Sequence, residues 1–125
     1  MGFSEHLQNV VASIDGAIAC SVMGFDGIAV ETYQAATRAQ DATSLELSTA
    51  WVEFANVLSQ LKTTAETLKT GKVAELSVNS EKVITLMRMI TPEYFFVLAL
   101  MPSANYGKAR YQLRITAPKL AAELL

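Results

Sequence analysis

Phe3, Leu7, Val10, Val11 and Ile14 recur at the spacing of one helical face behind Ser4, an N-cap candidate. Residues 4 to 15 therefore predict a first amphipathic helix, which Gly16 stops. Ala17 to Met23 is a short apolar run, and after Gly24-Phe25-Asp26-Gly27 the segment Ile28 to Tyr33 alternates in side-chain character. That is the pattern of a β-hairpin with a glycine-flanked turn. Gln34 to Ala42 is polar and irregular, and Thr43-Ser44-Leu45-Glu46 reads as a capping box that opens a long helix running to about Lys69, with Gly71 as its stop.

Three more strands follow. Val73 to Asn79 places Ala74, Leu76 and Val78 on one face and Val73, Glu75 and Ser77 on the other, the alternation of an edge strand. Val83 to Ile90 and Tyr94 to Met101 are apolar on nearly both faces, as central strands covered by helices should be. From about Ala104 a last helix lines up Ala109, Leu113, Ala117, Leu120 and Leu124, with a break or kink expected at Pro118. The order is α-β-β-α-β-β-β-α. Short connections argue for a mainly antiparallel five-stranded sheet, and three apolar helix stripes argue for covering both of its faces, an α-β-α sandwich of the α+β kind. The 125 residues hold no internal repeat or linker, so one domain spanning 1–125 is expected.

Composition narrows the functions open to such a domain. The net charge of −2, with basic residues spread along the chain, gives no footprint for nucleic acid. Mean hydropathy is positive, +0.27, yet no run approaches the eighteen or so apolar residues of a membrane span, so no membrane insertion is expected. Met1-Gly2-Phe3-Ser4-Glu5-His6 lacks the form of a signal peptide, and a cytoplasmic location is expected. With one histidine, His6, and one cysteine, Cys20, the chain has no metal-ligand spacing and no nucleophilic triad. His6 is expected at the surface or an edge, and Cys20 as a small buried thiol. Gly71-Lys72 fails as a phosphate loop because Val73 replaces the hydroxyl residue and Glu66 replaces the first glycine. No catalytic residue, cofactor or metal is assigned.

The long helix carries the informative anomaly. At about 100° per residue, Leu47, Ala50, Trp51, Phe54, Val57, Leu58, Leu61, Ala65 and Leu68 share one broad stripe, expected to face the core. The opposite stripe holds Leu45, Thr49, Val52, Asn56, Ser59, Gln60, Thr63 and Thr67, without a charge at its centre. Thr, Ser and Asn are weak helix formers, and a solvated face usually carries Lys and Glu, so this stripe reads as a packing surface for a partner. The strand that follows has no proline and only Glu75 as an internal charge. An edge so lightly guarded invites pairing with a second chain, which makes Val73, Ala74, Glu75, Leu76, Ser77 and Val78 candidate interface residues.

Element order and local sequences resemble the roadblock/dynein light chain family from about Leu7 to Leu124. The carriers are Gly24-Phe25-Asp26-Gly27-Ile28, the helix from Thr43, Val83 to Met89, and Tyr94 to Met101 followed by Asn105-Tyr106-Gly107-Lys108-Ala109-Arg110. The resemblance implies a profilin-like sheet in the order 2-1-5-4-3, with the long helix on one face and the terminal helices on the other. It also implies homodimers that pair their third strands and set their long helices side by side. Such proteins are scaffolds or GTPase-activating partners of small Ras-like GTPases, or light chains on motor complexes. A rival reading of the residues is a sensory small-molecule binder of PAS-like shape, which a cavity lined by Trp51, Phe54 and the sheet would favour.

Overall fold

The computed structural model describes residues 2–35 and 44–124. Eight elements appear in the predicted order: α1 Phe3–Ser13, β1 Ala17–Gly24, β2 Ala29–Gln34, α2 Ser44–Leu68, β3 Glu75–Asn79, β4 Ile84–Thr91, β5 Tyr94–Leu100 and α3 Tyr106–Glu123. The strands form one sheet in the order β2-β1-β5-β4-β3, with every neighbouring pair antiparallel. This is the expected α-β-α sandwich of roadblock type, with edges at β2 and β3.

The centre is β5, whose alternation supplies both cores. Phe96, Leu98 and Leu100 pack with Cys20, Val22 and Leu86 beneath α1 and α3, which contribute Leu7, Val10, Val11, Ile14, Leu113 and Leu120. On the other face Phe95, Val97 and Ala99 join Ile18, Met23 and Met87 beneath Leu47, Trp51, Ala55 and Leu58 of α2. A strand buried on both faces must be apolar throughout, and β5 is.

Several boundaries differ from expectation for identifiable reasons. α1 starts at Phe3 with Gly2 as its N-cap, and no side chain makes a capping hydrogen bond, so Ser4 is not the cap. α2 ends at Leu68 and the left-handed position falls on Lys69, at φ 58°, rather than on Gly71. Thr70 N–H donates to the Ala65 carbonyl and Lys69 N–H to Glu66, the paired bonds of a Schellman ending. The third strand begins at Glu75, so Val73 and Ala74 precede it, although the Met89 N–H still donates to the Ala74 carbonyl at 3.0 Å. α3 runs unbroken across Pro118, because Thr116, Ala117 and Leu120 stay buried on either side and hold the helix down while the ring faces outward. Asn105 caps it, its side chain accepting from the Lys108 N–H at 3.0 Å. The capping-box residue Thr43 and most of 34–42 lie outside the described residues.

Gly16 joins α1 to the sheet at φ 92°, where its carbonyl accepts from the Met101 N–H at 2.8 Å. An added Cβ would stand 3.0 Å from the Ala104 Cβ. Gly16→Ala is therefore expected to lower stability by about 1–2 kcal/mol, the cost of holding an L-residue in a left-handed conformation, seen as an earlier midpoint in urea unfolding.

Candidate functional site

β3 forms an edge of the sheet, bonded to β4 on one side. Leu76 and Val78 turn toward the α2 layer, where they pack at the rim of its core together with Val73. Glu75 and Ser77 alternate with them and turn to the layer of α1 and α3. The one charge on this strand is withdrawn from its edge. Glu75 Oε2 lies 2.7 Å from both Nε and Nη2 of Arg110 on α3, and Oε1 lies 3.4 Å from Nη1 of Arg88 on β4. The hydrogen bond and charge of Glu75 push the Arg110 pKa further up. Ser77 Oγ is buried without a hydrogen-bond partner.

The long helix corrects the sequence reading. Val57, Leu61 and Leu68, expected in the core, are 46%, 38% and 66% exposed. The buried line is narrower: Leu47, Trp51, Ala55, Leu58 and Ala65. The apolar arc from Val57 round to Ala55 spans about 160° at 100° per residue, more than one sheet face can cover. Its uncovered part, Val57, Leu61 and Leu68, forms with the half-buried Ala50 and Phe54 and with Thr64 at the margin a seam spaced alternately by four and three as in helices that pack side by side.

That seam faces the β3 side. Gly27 of the β1–β2 turn sits against Val52, where a Cβ would meet the side chain at 3.5 Å, so the Val52 flank of α2 faces the β1–β2 side. Phe54 lies about 160° around the helix from Val52, on the opposite flank, and is half-buried at the rim of the α2-side core, the rim to which Val73, Leu76 and Val78 of the β3 segment also belong. Val57, Leu61 and Leu68 share the Phe54 flank. An apolar helix seam and an unpaired strand edge therefore adjoin.

The polar stripe points elsewhere, outward and toward the hairpin. Thr49, Asn56, Ser59, Gln60, Thr63 and Thr67 are exposed, Val52 is half-buried, and the side chain of Leu45 lies outside the described residues. Thr63, Thr64 and Thr67 spend their hydroxyls on their own helix, donating to the carbonyls of Ser59, Gln60 and Thr63 at 3.3, 2.9 and 3.1 Å. What they offer a partner is mostly methyl, which explains weak helix formers on this face better than solvation does.

Chemically reactive groups are occupied in packing. Cys20 is buried mid-strand, its thiol aimed at the Leu7 carbonyl at 3.5 Å, and burial pushes its pKa well up, away from the nucleophilic thiolate. His6 is buried, against expectation, because the end of α3 covers it and places Glu123 3.9 Å from Nε2. No group of His, Cys, Asp and Glu among the described residues could hold a metal ion, and no helix among them is long and apolar enough to cross a membrane. Trp51 packs in the core beneath α2 with its Nε1 unpartnered, and Phe54 is half-buried at the rim of that core.

No protein-family profile and no curated relative matches the sequence. Solved structures do. The chain is similar to MglC from Myxococcus xanthus at 58% identity, over 98% of this chain and 99% of that one, with a TM-score of 0.68. A roadblock/LC7 domain from Streptomyces avermitilis superposes with a TM-score of 0.83 at 8% identity, over 99% and 98% of the two chains. The gliding protein MglB of Thermus thermophilus gives 0.84 at 16% identity, over 96% and 86%.

Because the threonine hydroxyls bond only within α2, Thr63→Val and Thr67→Val keep the outward methyls and are expected to change stability by no more than about 0.5 kcal/mol each. Thermal melts of the two variants check this; a larger loss would show that the hydroxyls hold more than their own helix.

Proposed function

The chain belongs to the roadblock family, and on that premise we propose that it is a non-catalytic homodimeric scaffold or regulator of a small Ras-like GTPase. The observation that carries the reading is the adjacency of the Val57, Leu61 and Leu68 seam to the open edge of β3. A second copy related by a two-fold axis can cover both at once, pairing β3 with its own β3 and laying α2 against α2. Removing a half-exposed Val or Leu from water contributes about 1 kcal/mol each, and every such residue counts twice in a symmetric interface. Val73 and Ala74, just outside the strand, lengthen the edge available for pairing, while Glu75, held by Arg110 and Arg88, adds no free charge to repel it.

This arrangement divides the labour on α2. The seam serves the second copy, and the stripe of Thr49, Val52, Asn56, Ser59, Gln60, Thr63 and Thr67 remains outward on both long helices, a continuous, weakly hydrated face for the GTPase. Its position on α2, together with the packing of Trp51 into the core and of Phe54 against its rim, favours a binding scaffold over a sensor built round those two residues. Such a scaffold can tether the GTPase or act on residues of the GTPase itself to promote GTP hydrolysis. A cytoplasmic location accords with such a partner.

Light scattering coupled to size exclusion is expected to give twice the 13.6 kDa chain mass at micromolar concentration. Leu61→Asp places an unpaired charge in the seam, costs the association several kcal/mol, and should give the single-chain mass with secondary structure intact. Asn56→Arg lies on the outward stripe and is expected to keep the doubled mass while losing affinity for the cognate GTPase in its GTP state. A single-chain mass for the unmodified protein, or a Leu61→Asp variant that stays dimeric, would overturn the interface; undiminished GTPase affinity in Asn56→Arg would overturn the partner face.

A further inference from the structure

α2 is much longer than the sheet it covers: its 25 residues extend about 37 Å, whereas the eight residues of β4 reach about 26 Å. It meets the end of the sheet at Lys62, whose Nζ donates to the Pro92 carbonyl at 2.9 Å and lies 4.2 Å from the centre of the Phe25 ring. The last turns continue past that point, and the chain then doubles back through Lys69–Val73 alongside Met89. Beneath the overhang lies a groove of about 710 Å³. Its floor is apolar, made by Ala65, Val73, Met89, Ile90 and Pro92, and its charged lining is Lys62, Lys69 and Lys72 against Glu66.

The sequence shows the same change of use. The sheet-facing line of α2 reads Trp51, Ala55, Leu58, Lys62 and Ala65, so a single cation and then a small residue replace the large core side chains where the sheet ends. Lys62 is engaged with Pro92 and Phe25, and lysine stems can shield an apolar floor. Lys69 and Lys72 are exposed in the return loop and give the rim an excess of positive charge on a chain whose net charge is −2. An apolar floor with a cationic rim matches a ligand that combines apolar side chains with carboxylates. A lone small anion would find only exposed ammonium groups here, with nothing to hold it to the floor.

We propose that this groove docks an acidic peptide segment of a partner protein, with an apolar side chain seated between Val73 and Met89 and flanking carboxylates meeting Lys69 and Lys72. Val73 borders both the groove, through its side chain, and the strand edge offered for pairing, through its backbone, so pairing at β3 and docking in the groove draw on different parts of the same residue. The proposal does not depend on the GTPase reading, and the two can fail separately.

The test is a titration of isotope-labelled protein with the capped peptide Glu-Leu-Glu-Glu-Leu-Glu, followed by backbone amide shifts. The shifts are expected to concentrate at Thr70–Val73 and Met89–Thr91 and to weaken with added salt. The Gln-Leu-Gln-Gln-Leu-Gln peptide should bind less well. Lys69→Glu combined with Lys72→Glu should lower affinity by about tenfold or more, since two exposed ion pairs are replaced by repulsion, with melting temperature and oligomer mass unchanged. No shifts at about 1 mM peptide, a range set by the weakness of exposed contacts, would overturn the proposal. So would equal binding of both peptides, undiminished binding by the charge-reversed variant, or the same amides shifting with protein concentration alone, which would mean that a second copy fills the groove.

Discussion

Burial of β5 on both faces is the constraint from which the rest of this molecule follows. A strand with Phe95, Val97 and Ala99 on one side and Phe96, Leu98 and Leu100 on the other needs a helical layer above and below it. α1 and α3 together make one layer, so α2 must make the other alone. A single helix can cover a five-stranded sheet only if it is long, and a long helix has more surface than the sheet can use. The two surfaces proposed above for binding are the remainders of that fit: a seam along one flank, and an overhang at one end.

The order of elements and the edge at β3 were legible in the sequence, because the third strand alternates cleanly, the fourth and fifth are nearly wholly apolar and the turns carry their own chemistry. The strand order and the second edge at β2 followed from the resemblance to the roadblock family. The limits of α2 were less so. Gly71 looked like the stop, yet the left-handed residue is Lys69, since a Schellman ending depends on where the last helical carbonyls lie and tolerates a non-glycine residue at modest cost. Pro118 looked like a break, yet burial of Thr116, Ala117 and Leu120 outweighs one lost hydrogen bond.

The candidate site shows the same division between what pattern determines and what packing decides. The edge strand and its single charge were visible in Val73 to Asn79, but the withdrawal of Glu75 toward Arg110 joins residues 35 apart in sequence and depends on how α3 crosses the sheet. The uncharged stripe of α2 was visible as well. Its apolar arc was assigned wholly to the core, although an arc of about 160° exceeds what a flat face accommodates, and the excess was the signal for the seam. The polar stripe gains a different meaning from this correction: in the dimer proposed above a second copy covers the flank, which leaves the stripe outward. His6 was misjudged because nothing local in the sequence indicates that the end of α3 folds over it.

The two sheet edges provide an internal control for the central claim that β3, and not β2, is an interface. Native-state hydrogen exchange at micromolar concentration reads both in one experiment, since the outward N–H groups of an unpaired edge exchange rapidly while those of a paired strand are protected. A dimer built through β3 predicts that amides of Glu75–Asn79 exchange as slowly as those of β4 and β5 and lose that protection on dilution, with Ala29–Gln34 exchanging faster throughout. Alternate amides of β3 exchanging as fast as those of β2 at every concentration would contradict it.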